Sequence, residues 1–399
     1  MATYTLFENK ESCCGCSACA EICPKNAIKM IPDKFGFIYP EINSSLCTEC
    51  GACRSVCAMS TELEEKKPLD VMVGVSQVTD VMQSASGGIF AALASKILDN
   101  GGIVFGALME VIDGRLAPMH ISVEDKESLK KLMGSKYVQS STSGVFGKVK
   151  TALCDGRQVL FSGTPCQVAA LNSYLKRSYE NLYTADIICH GVPSSEFFQK
   201  YIEYEENKLG AKITNFKFRD KNVGWGLTAK ITYRNNGKEK YKWIPSRASS
   251  YYSLFLDSEI YRDCCYSCKY ACSSRTGDLT LGDFWGIEKQ HPEYLATNGG
   301  FVEIKKGCSC ITVNTEKGYR LLDSGIKVSE STYEKAAEYN KQLVSPSRKS
   351  KNREFILNNF ANSGYKAVEQ FFVKNNFLKI QIAFLKYRIK RILNLLRLR

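Results

Sequence analysis

The hydrophobic pattern of the chain changes period twice. From Val71 it reads as short apolar runs followed by helical periodicity. Val71-Met72-Val73-Gly74-Val75 is strand-like, and Ser84-Ala85-Ser86-Gly87-Gly88 opens an apolar helical run from Ile89 to Leu98. Asn100-Gly101-Gly102 caps that helix, and Gly102 to Leu108 is the next strand. The rhythm returns with a strand over Gln158 to Phe161, a turn at Gly163-Thr164-Pro165 and a helix from Cys166 through Leu171. A strand from Tyr183 to Cys189 follows, closed by His190-Gly191-Val192-Pro193, then a helical stretch from Ser194 to Leu209. This β-α-β order predicts an α/β body. From Ile213 the period becomes two: Ile213–Arg219, Gly226–Tyr233 and Glu239–Ile244 alternate apolar and polar, with Asn235-Asn236-Gly237 as a hairpin turn. An antiparallel insertion is expected there, with later strands at Asp278–Gly282 and Phe301–Ile304.

Ahead of this body, cysteine spacing governs rather than hydropathy. The run Cys13-x2-Cys16-x2-Cys19-x3-Cys23-Pro24 is repeated as Cys47-x2-Cys50-x2-Cys53-x3-Cys57. It is the only repeat in the chain, and its spacing resembles that of two-cluster bacterial ferredoxins. In that arrangement the first three cysteines of a run face one cubane, and the fourth, past a helical turn, reaches the other. Cys13, Cys16, Cys19 and Cys57 should therefore hold one [4Fe-4S] cluster, and Cys47, Cys50, Cys53 and Cys23 a second. Cys14 is the spare thiol. Ala58 stands where a proline would follow the second run, a departure that touches no ligand. A disulfide framework or zinc ribbon fits a duplicated four-cysteine run poorly.

Composition narrows the setting. A chain of 399 residues is long enough for two or three domains and a sizeable core. Half of its 18 cysteines lie in the duplicated runs. Met1 to Lys10 carries Glu8 and Lys10 and no apolar core of a signal peptide, and no uncharged apolar run reaches membrane-spanning length. Oxygen-sensitive clusters and unpaired thiols then predict a reducing, cytoplasmic location. The formal net charge of +13 is uneven: Lys374 to Arg399 holds eight Lys or Arg and no acid. A basic tail rather than a basic folded face argues against nucleic acid as a partner.

Four of the remaining cysteines stand at telling places. Cys166 opens a helix after a strand, Cys189 ends a strand, and Cys265-x2-Cys268 precedes the Asp278 strand. Sites in open α/β sheets gather at the carboxyl ends of strands, so these four are a candidate ligand set for a third [4Fe-4S] cluster. Three other readings stay open on spacing alone. The thiols could be small buried hydrophobes, they could bind zinc, or Cys166 could be a nucleophile with His190 as its base. Cys264 and Cys272 are alternates for the C-x2-C pair, while Cys154, Cys308 and Cys310 read as core or bystander residues.

A larger resemblance rests on motifs that occur in order. They are Ser86-Gly87-Gly88, Gly134-Ser135-Lys136-Tyr137, Gly163-Thr164-Pro165-Cys166-Gln167, Cys189-His190-Gly191-Val192-Pro193, Phe218-Arg219-Asp220-Lys221 with Gly224-Trp225, Cys265-x2-Cys268, and Gly282-Asp283-Phe284-Trp285-Gly286. From about Val71 to Thr315 the chain resembles the beta-subunit family of coenzyme F-420 (deazaflavin) hydrogenases and dehydrogenases. The wording around His190-Gly191 and Asp283-Phe284-Trp285 is similar to a bacterial branch found with surface-polysaccharide genes. The resemblance implies an FAD beside one [4Fe-4S] cluster held by Cys166, Cys189, Cys265 and Cys268. Ser86, Gly87 and Gly88 at a helix N-terminus suit a pyrophosphate, Ser135, Lys136, Tyr137 and Lys221 are further cofactor-binding candidates, and Trp225 and Trp285 are candidates to line the isoalloxazine. There is no Gly-x-Gly-x-x-Gly after the first strand.

The expected architecture is an α+β ferredoxin-like two-[4Fe-4S] domain fused to an α/β flavoprotein domain with an antiparallel strand insertion and a helical C-terminal tail. Its expected parts are residues 1–60, a linker at 61–70, the beta-subunit-like regions 71–150 and 151–345, and the tail 346–399. The expected activity is electron transfer between a small-molecule hydride donor or acceptor, FAD and the clusters, to or from ferredoxin or a redox-partner subunit, with His190 and Asp283 handling protons. A subunit without its own substrate, or a cluster-stabilised assembly protein of a polysaccharide machine, are the other classes. The tail, apolar along one stripe and basic elsewhere, is a candidate for peripheral contact with the inner face of a membrane.

Overall fold

A computed structural model describes residues 6–60, 62–63, 67–322 and 325–396. The start of the chain, part of the expected linker and the last three tail residues lie outside the described residues.

The cysteine-rich segment contains one hairpin, β1 (Ile28–Pro32) and β2 (Ile38–Ile42), between two single-turn helices, Ala18–Glu21 and Ala52–Ser55. Each helix is preceded by a left-handed residue, Ser17 or Gly51.

The body is one eight-stranded mixed sheet. Its strands are β3 (Asp70–Ser76), β4 (Ile103–Ile112), β5 (Arg115–Val123), β6 (Val159–Gly163), β7 (Leu182–Ile187), β11 (Leu279–Asp283), β12 (Ser309–Val313) and β13 (Ile326–Glu330), in the spatial order β13-β3-β12-β11-β7-β6-β4-β5. β4, β6, β7 and β11 form the parallel centre, and the outer pairs are antiparallel. Alternation within β6 shows why both faces are covered. Val159 and Phe161 pack under the helices Val145–Cys154 and Pro165–Leu175, while Leu160 packs on the opposite face with helix Ile89–Asp99.

The antiparallel insertion is a separate three-stranded sheet of β8 (Ile213–Lys217), β9 (Thr228–Asn235) and β10 (Lys238–Pro245). Its hairpin turns at Asn236 and Gly237, both at positive φ as a two-residue turn of matching twist requires.

Three expectations are corrected. Phe301–Ile304 is not a strand: Val302 makes a single bridge to Leu295, and the strand in this region is β12, a fully buried run. β5 is not among the expected strands. Pro118 lies within it, and a proline is tolerated there because β5 is the edge of the sheet. The C-terminal tail starts later than residue 346. Arg353, Ile356, Leu357, Phe360, Tyr365, Val368 and Phe372 are buried in the core beneath helix Ser195–Leu209 and the insertion. Only beyond Asn376, where non-helical backbone kinks helix Tyr365–Leu396, does an exposed apolar stripe begin.

The cysteine-rich segment is built into this body rather than hung from it. Ala18, Val56 and Ala58 share a core with the helices under β6, and Phe35, Phe37 and Tyr39 share another with helix Ser195–Leu209.

Candidate functional site

Two cavities lie in the cysteine-rich segment. Cys23, Cys47, Cys50 and Cys53 line one, with about 370 Å³ of atom-free space. Cys13, Cys16, Cys19 and Cys57 line the other, of about 420 Å³, together with Cys14 and Cys53. The one-turn helices produce this crossing, because each carries its run's fourth cysteine away from the first three. Backbone amides already face sulfur: Ala27 N–H donates to Cys23 Sγ at 3.3 Å and Glu49 N–H to Cys47 Sγ at 3.4 Å. Burial pushes the Cys13 thiol up and takes Cys19 to about 12, Arg262 opposing the shift at Cys13. Thiols so desolvated become ligands when a metal displaces the proton.

The two groups differ in setting. Around the Cys23 group Pro24, Lys25, Thr48, Glu49 and Cys50 are exposed. The Cys13 group faces inward and is gripped by the body. Arg262, fully buried, donates to the carbonyls of Cys13 (2.8 Å) and Ile38 (2.6 Å). Gln139 donates to Cys14 O at 2.9 Å and Thr142 to Cys16 O at 2.7 Å. From the other side Tyr270 donates to Ala58 O at 2.6 Å and Lys269 to Met59 O at 3.0 Å.

Arg262 and Tyr270 flank the third cysteine set. Cys265 lies in the short turn Asp263–Ser267 and Cys268 ends it. Cys166 is the second residue of helix Pro165–Leu175, after a Thr164–Gln167 capping box, and Cys189 follows the end of β7. All four thus sit at the carboxyl edge of the parallel strands. They sense one another electrostatically. Besides burial, Cys265, Cys166 and Cys268 raise the pKa of Cys189, and Cys166 and Cys265 help take Cys268 to about 12. The Cys268 loop is pinned to β7 by Arg275. Its guanidinium pairs with buried Asp186 at 2.9 Å and also donates to Ile187 O and Tyr270 O.

Cys14 is buried, and its thiol and that of Cys166 perturb each other's pKa, which marks them as close neighbours. The first cavity group and the third set therefore abut through Cys14. Cys272 Sγ is turned toward the carbonyls of Lys269 and Ser274, Cys308 and Cys310 are in the core, and Cys154 is exposed.

The expected flavin residues fall into two groups. Lys136 Nζ donates to the carbonyls of Leu132 (2.8 Å) and Met133 (2.9 Å), and Tyr137 stacks on Phe255 at 4.6 Å. Lys221 Nζ donates to Val81 O, Ser86 O and Lys306 O at 2.6–2.7 Å, so its ammonium fixes the Ser86–Gly88 loop rather than a phosphate. Gly87 is needed for packing, since a Cβ there would lie 2.3 Å from Gly74 O. Ser135 is half-buried beside Lys136.

The second group gathers beyond β11. Asp283 accepts from Trp225 Nε1 at 2.7 Å and pairs with Arg219. Trp225 and Trp285 stack face to face, centroids 4.8 Å apart and 8° from parallel. Two donors thus hold the Asp283 carboxylate in place. His190 stands nearby, its pKa lowered by burial of the ring against the pull of Asp283.

Several buried polar atoms among the described residues lack a hydrogen-bond partner, and two of them, on Arg219 and Tyr252, belong to side chains near Asp283. Arg219 Nη2, Tyr252 Oη and Ser84 Oγ are buried without a hydrogen-bond partner. A buried unpaired donor is costly. Arg219 and Tyr252 sense each other electrostatically, so an acceptor-rich ligand beside the indole pair would satisfy both. Sequence reasoning missed Arg262, Arg275, Tyr252 and Gln139. Only Arg219 lay inside a quoted motif, and the rest carry no spacing signal.

The arrangement defines an iron–sulfur protein of oxidoreductase type. Residues 12–61 match the model of the 4Fe-4S dicluster domain. Residues 156–338 match that of the C terminus of the coenzyme F420 hydrogenase/dehydrogenase beta subunit. Among solved structures, the F420-reducing [NiFe] hydrogenase complex from Methanosarcina barkeri shares 17% identity over 77% of this chain and 95% of that chain, with a TM-score of 0.43. No curated protein matches the chain.

Proposed function

We propose that the chain is an FAD- and [4Fe-4S]-dependent oxidoreductase exchanging electrons between a two-electron donor or acceptor and an outside one-electron partner such as ferredoxin. The observation that carries this reading is the succession of three cysteine groups. The Cys166 group stands at the strand ends, the Cys13 group abuts it through Cys14, and the Cys23 group lies at the surface. We assign one [4Fe-4S] cluster to each group: Cys13, Cys16, Cys19 and Cys57; Cys23, Cys47, Cys50 and Cys53; and Cys166, Cys189, Cys265 and Cys268. Bound there, the clusters supply one-electron chemistry and FAD supplies hydride chemistry.

Metal analysis would tell a single zinc at the third set from a cubane. Zinc draws its ligands to about 2.3 Å, whereas a cubane spreads its four thiolates over separate irons.

The chain's own residues orient and insulate the site. Asp283 fixes Arg219, whose free Nη2 joins Tyr252 Oη in facing an acceptor-rich ligand. His190, its pKa lowered by burial, and Asp283 are the two proton-handling candidates. The two-electron substrate is a deazaflavin, a nicotinamide or an organic substrate such as a glycan precursor, the last fitting a role in surface-polysaccharide synthesis.

A second reading, an electron-transfer subunit without its own substrate, is favoured by the closed Trp225–Trp285 stack, which leaves no slot for a ring between the indoles. Gentle anaerobic purification separates the two. Bound flavin that is reducible by a nicotinamide or a deazaflavin supports the enzyme, and protein with full iron but no flavin supports the second reading.

The exposed stripe Leu378, Ile382, Leu385, Ile389, Ile392 and Leu396, flanked by Lys379, Lys386, Arg388, Lys390 and Arg391, supports peripheral binding to an anionic membrane surface. Among the described residues no helix is long and apolar enough to cross a membrane.

A further inference from the structure

Arg262 is among the largest fully buried side chains of the body, and no carboxylate pairs with it among the described residues. The guanidinium donates to two carbonyls, Cys13 O and Ile38 O, and to Gln139 Oε1 at 3.3 Å. It stacks over the Tyr39 ring at 4.1 Å. None of these groups is an anion. The neighbouring Asp263 is turned to Arg353 at 3.1 Å. Burying an unpaired cation is expensive, and such groups persist where an anion is supplied. The remaining contact is Nη2 to Cys13 Sγ, at 3.8 Å. The backbone is shaped for this approach: Gly15 has φ +68°, and a Cβ there would lie 2.8 Å from Nη1.

We propose that Arg262 is a positioning residue that sets the reduction potential of the cluster held by Cys13, Cys16, Cys19 and Cys57, its anionic partner being that cluster. This rests on the ligand assignment above. The couple is a one-electron reduction, [4Fe-4S]2+ to [4Fe-4S]1+, with the electron supplied by dithionite through mediators. The reduced form carries one more negative charge, so a fixed guanidinium within a few ångströms stabilises it preferentially and raises the potential. The Cys23 group has no such cation among its lining residues except Lys25, which is exposed and therefore screened. The two N-terminal clusters are therefore unequal, the inner one easier to reduce.

The test is a mediated redox titration of the full-length chain, purified anaerobically and followed by low-temperature EPR, with iron counted on the same samples. Arg262→Gln removes the charge. Gln139→Glu leaves the arginine and sets a carboxylate beside its Nη1, a near-isosteric change. Both shift one N-terminal midpoint to more negative potential and leave the other unchanged, while Arg262→Lys moves it less. Should Arg262→Gln lose iron, Gln139→Glu carries the test alone. Unchanged midpoints in a variant with full iron overturn the proposal and leave Arg262 a mechanical clamp. Fewer than about eight irons in the native chain would instead refute the N-terminal ligand assignment, a distinguishable result.

Discussion

Replacing Arg275 by alanine probes how the third cysteine set is held. The Arg275–Asp186 pair is 1% and 0% exposed at the side chains, with Nη2 and Oδ1 2.9 Å apart. Removing one partner of a buried pair costs about 3–5 kcal/mol, because the other charge is left behind in a dry environment. Asp186 retains the Thr276 and Gly277 amides at 3.1 and 2.9 Å and the Thr276 hydroxyl at 3.1 Å, which places the loss at the low end, about 3 kcal/mol. At ~2 °C per kcal/mol for a large chain, the unfolding temperature falls by roughly 6 °C. The damage is also local. Arg275 ties the Cys268 loop to β7 through Tyr270 O and Ile187 O, two residues before Cys189. Losing these ties lets Cys268 drift from Cys189, so the variant should lose about four irons. Anaerobic thermal unfolding followed by circular dichroism, with iron quantitation, reads both effects. A variant with native unfolding temperature and native iron refutes the reasoning.

Other outcomes follow from the same structure. Asp283→Asn leaves the Arg219 cation buried without its counter-charge, at a cost of about 3 kcal/mol; the flavin-to-protein ratio of purified protein should fall, and an unchanged ratio would show that this pair does not shape the flavin site. His120, buried between Ser162 O and Ser140 Oγ at 3.0 Å, has its pKa lowered by burial from 6.5 to about 4. Between those values the unfolded chain binds a proton that the folded chain does not, so stability present above pH 6.5 is lost as pH falls toward 4, by up to about 3 kcal/mol. His120→Gln should flatten that part of the profile in thermal scans at pH 5 and 7, and a native slope in the variant would assign it to other groups. Truncation after Asn376 keeps the buried Val368 and Phe372, and should abolish co-sedimentation with anionic vesicles; equal pelleting of both chains removes the membrane reading.

Much of the fold was legible because local signals agreed with tertiary placement. The Ile89–Leu98 helix, the Gln158–Phe161 strand and the Asn236-Gly237 hairpin each combine a clear period with a fitting cap or turn. β12 escaped because Ser309-Cys-Ile-Thr-Val is buried on both faces, so it shows no alternation. β5 escaped because Pro118 argues against a strand until its edge position is known. At the site, thiol spacing singled out the cysteines that line the two N-terminal cavities, since each run is local in sequence. The clamps could not be read that way. Arg262 and Cys13 are 249 residues apart, and Arg275 and Asp186 are 89 apart. Nothing in their neighbours marks them. Lys136 and Lys221 also make contacts that their motifs do not announce. Their motif setting suited phosphate, but three backbone carbonyls take the Lys221 ammonium and the end of a helical turn takes that of Lys136.

The central claim is that Cys166, Cys189, Cys265 and Cys268 form a third cluster site abutting the Cys13 group. Iron and sulfide quantitation of anaerobically purified native protein and of Cys189→Ala tests it most directly. About twelve irons in the native chain and about eight in the variant are predicted. About eight in both would contradict the claim.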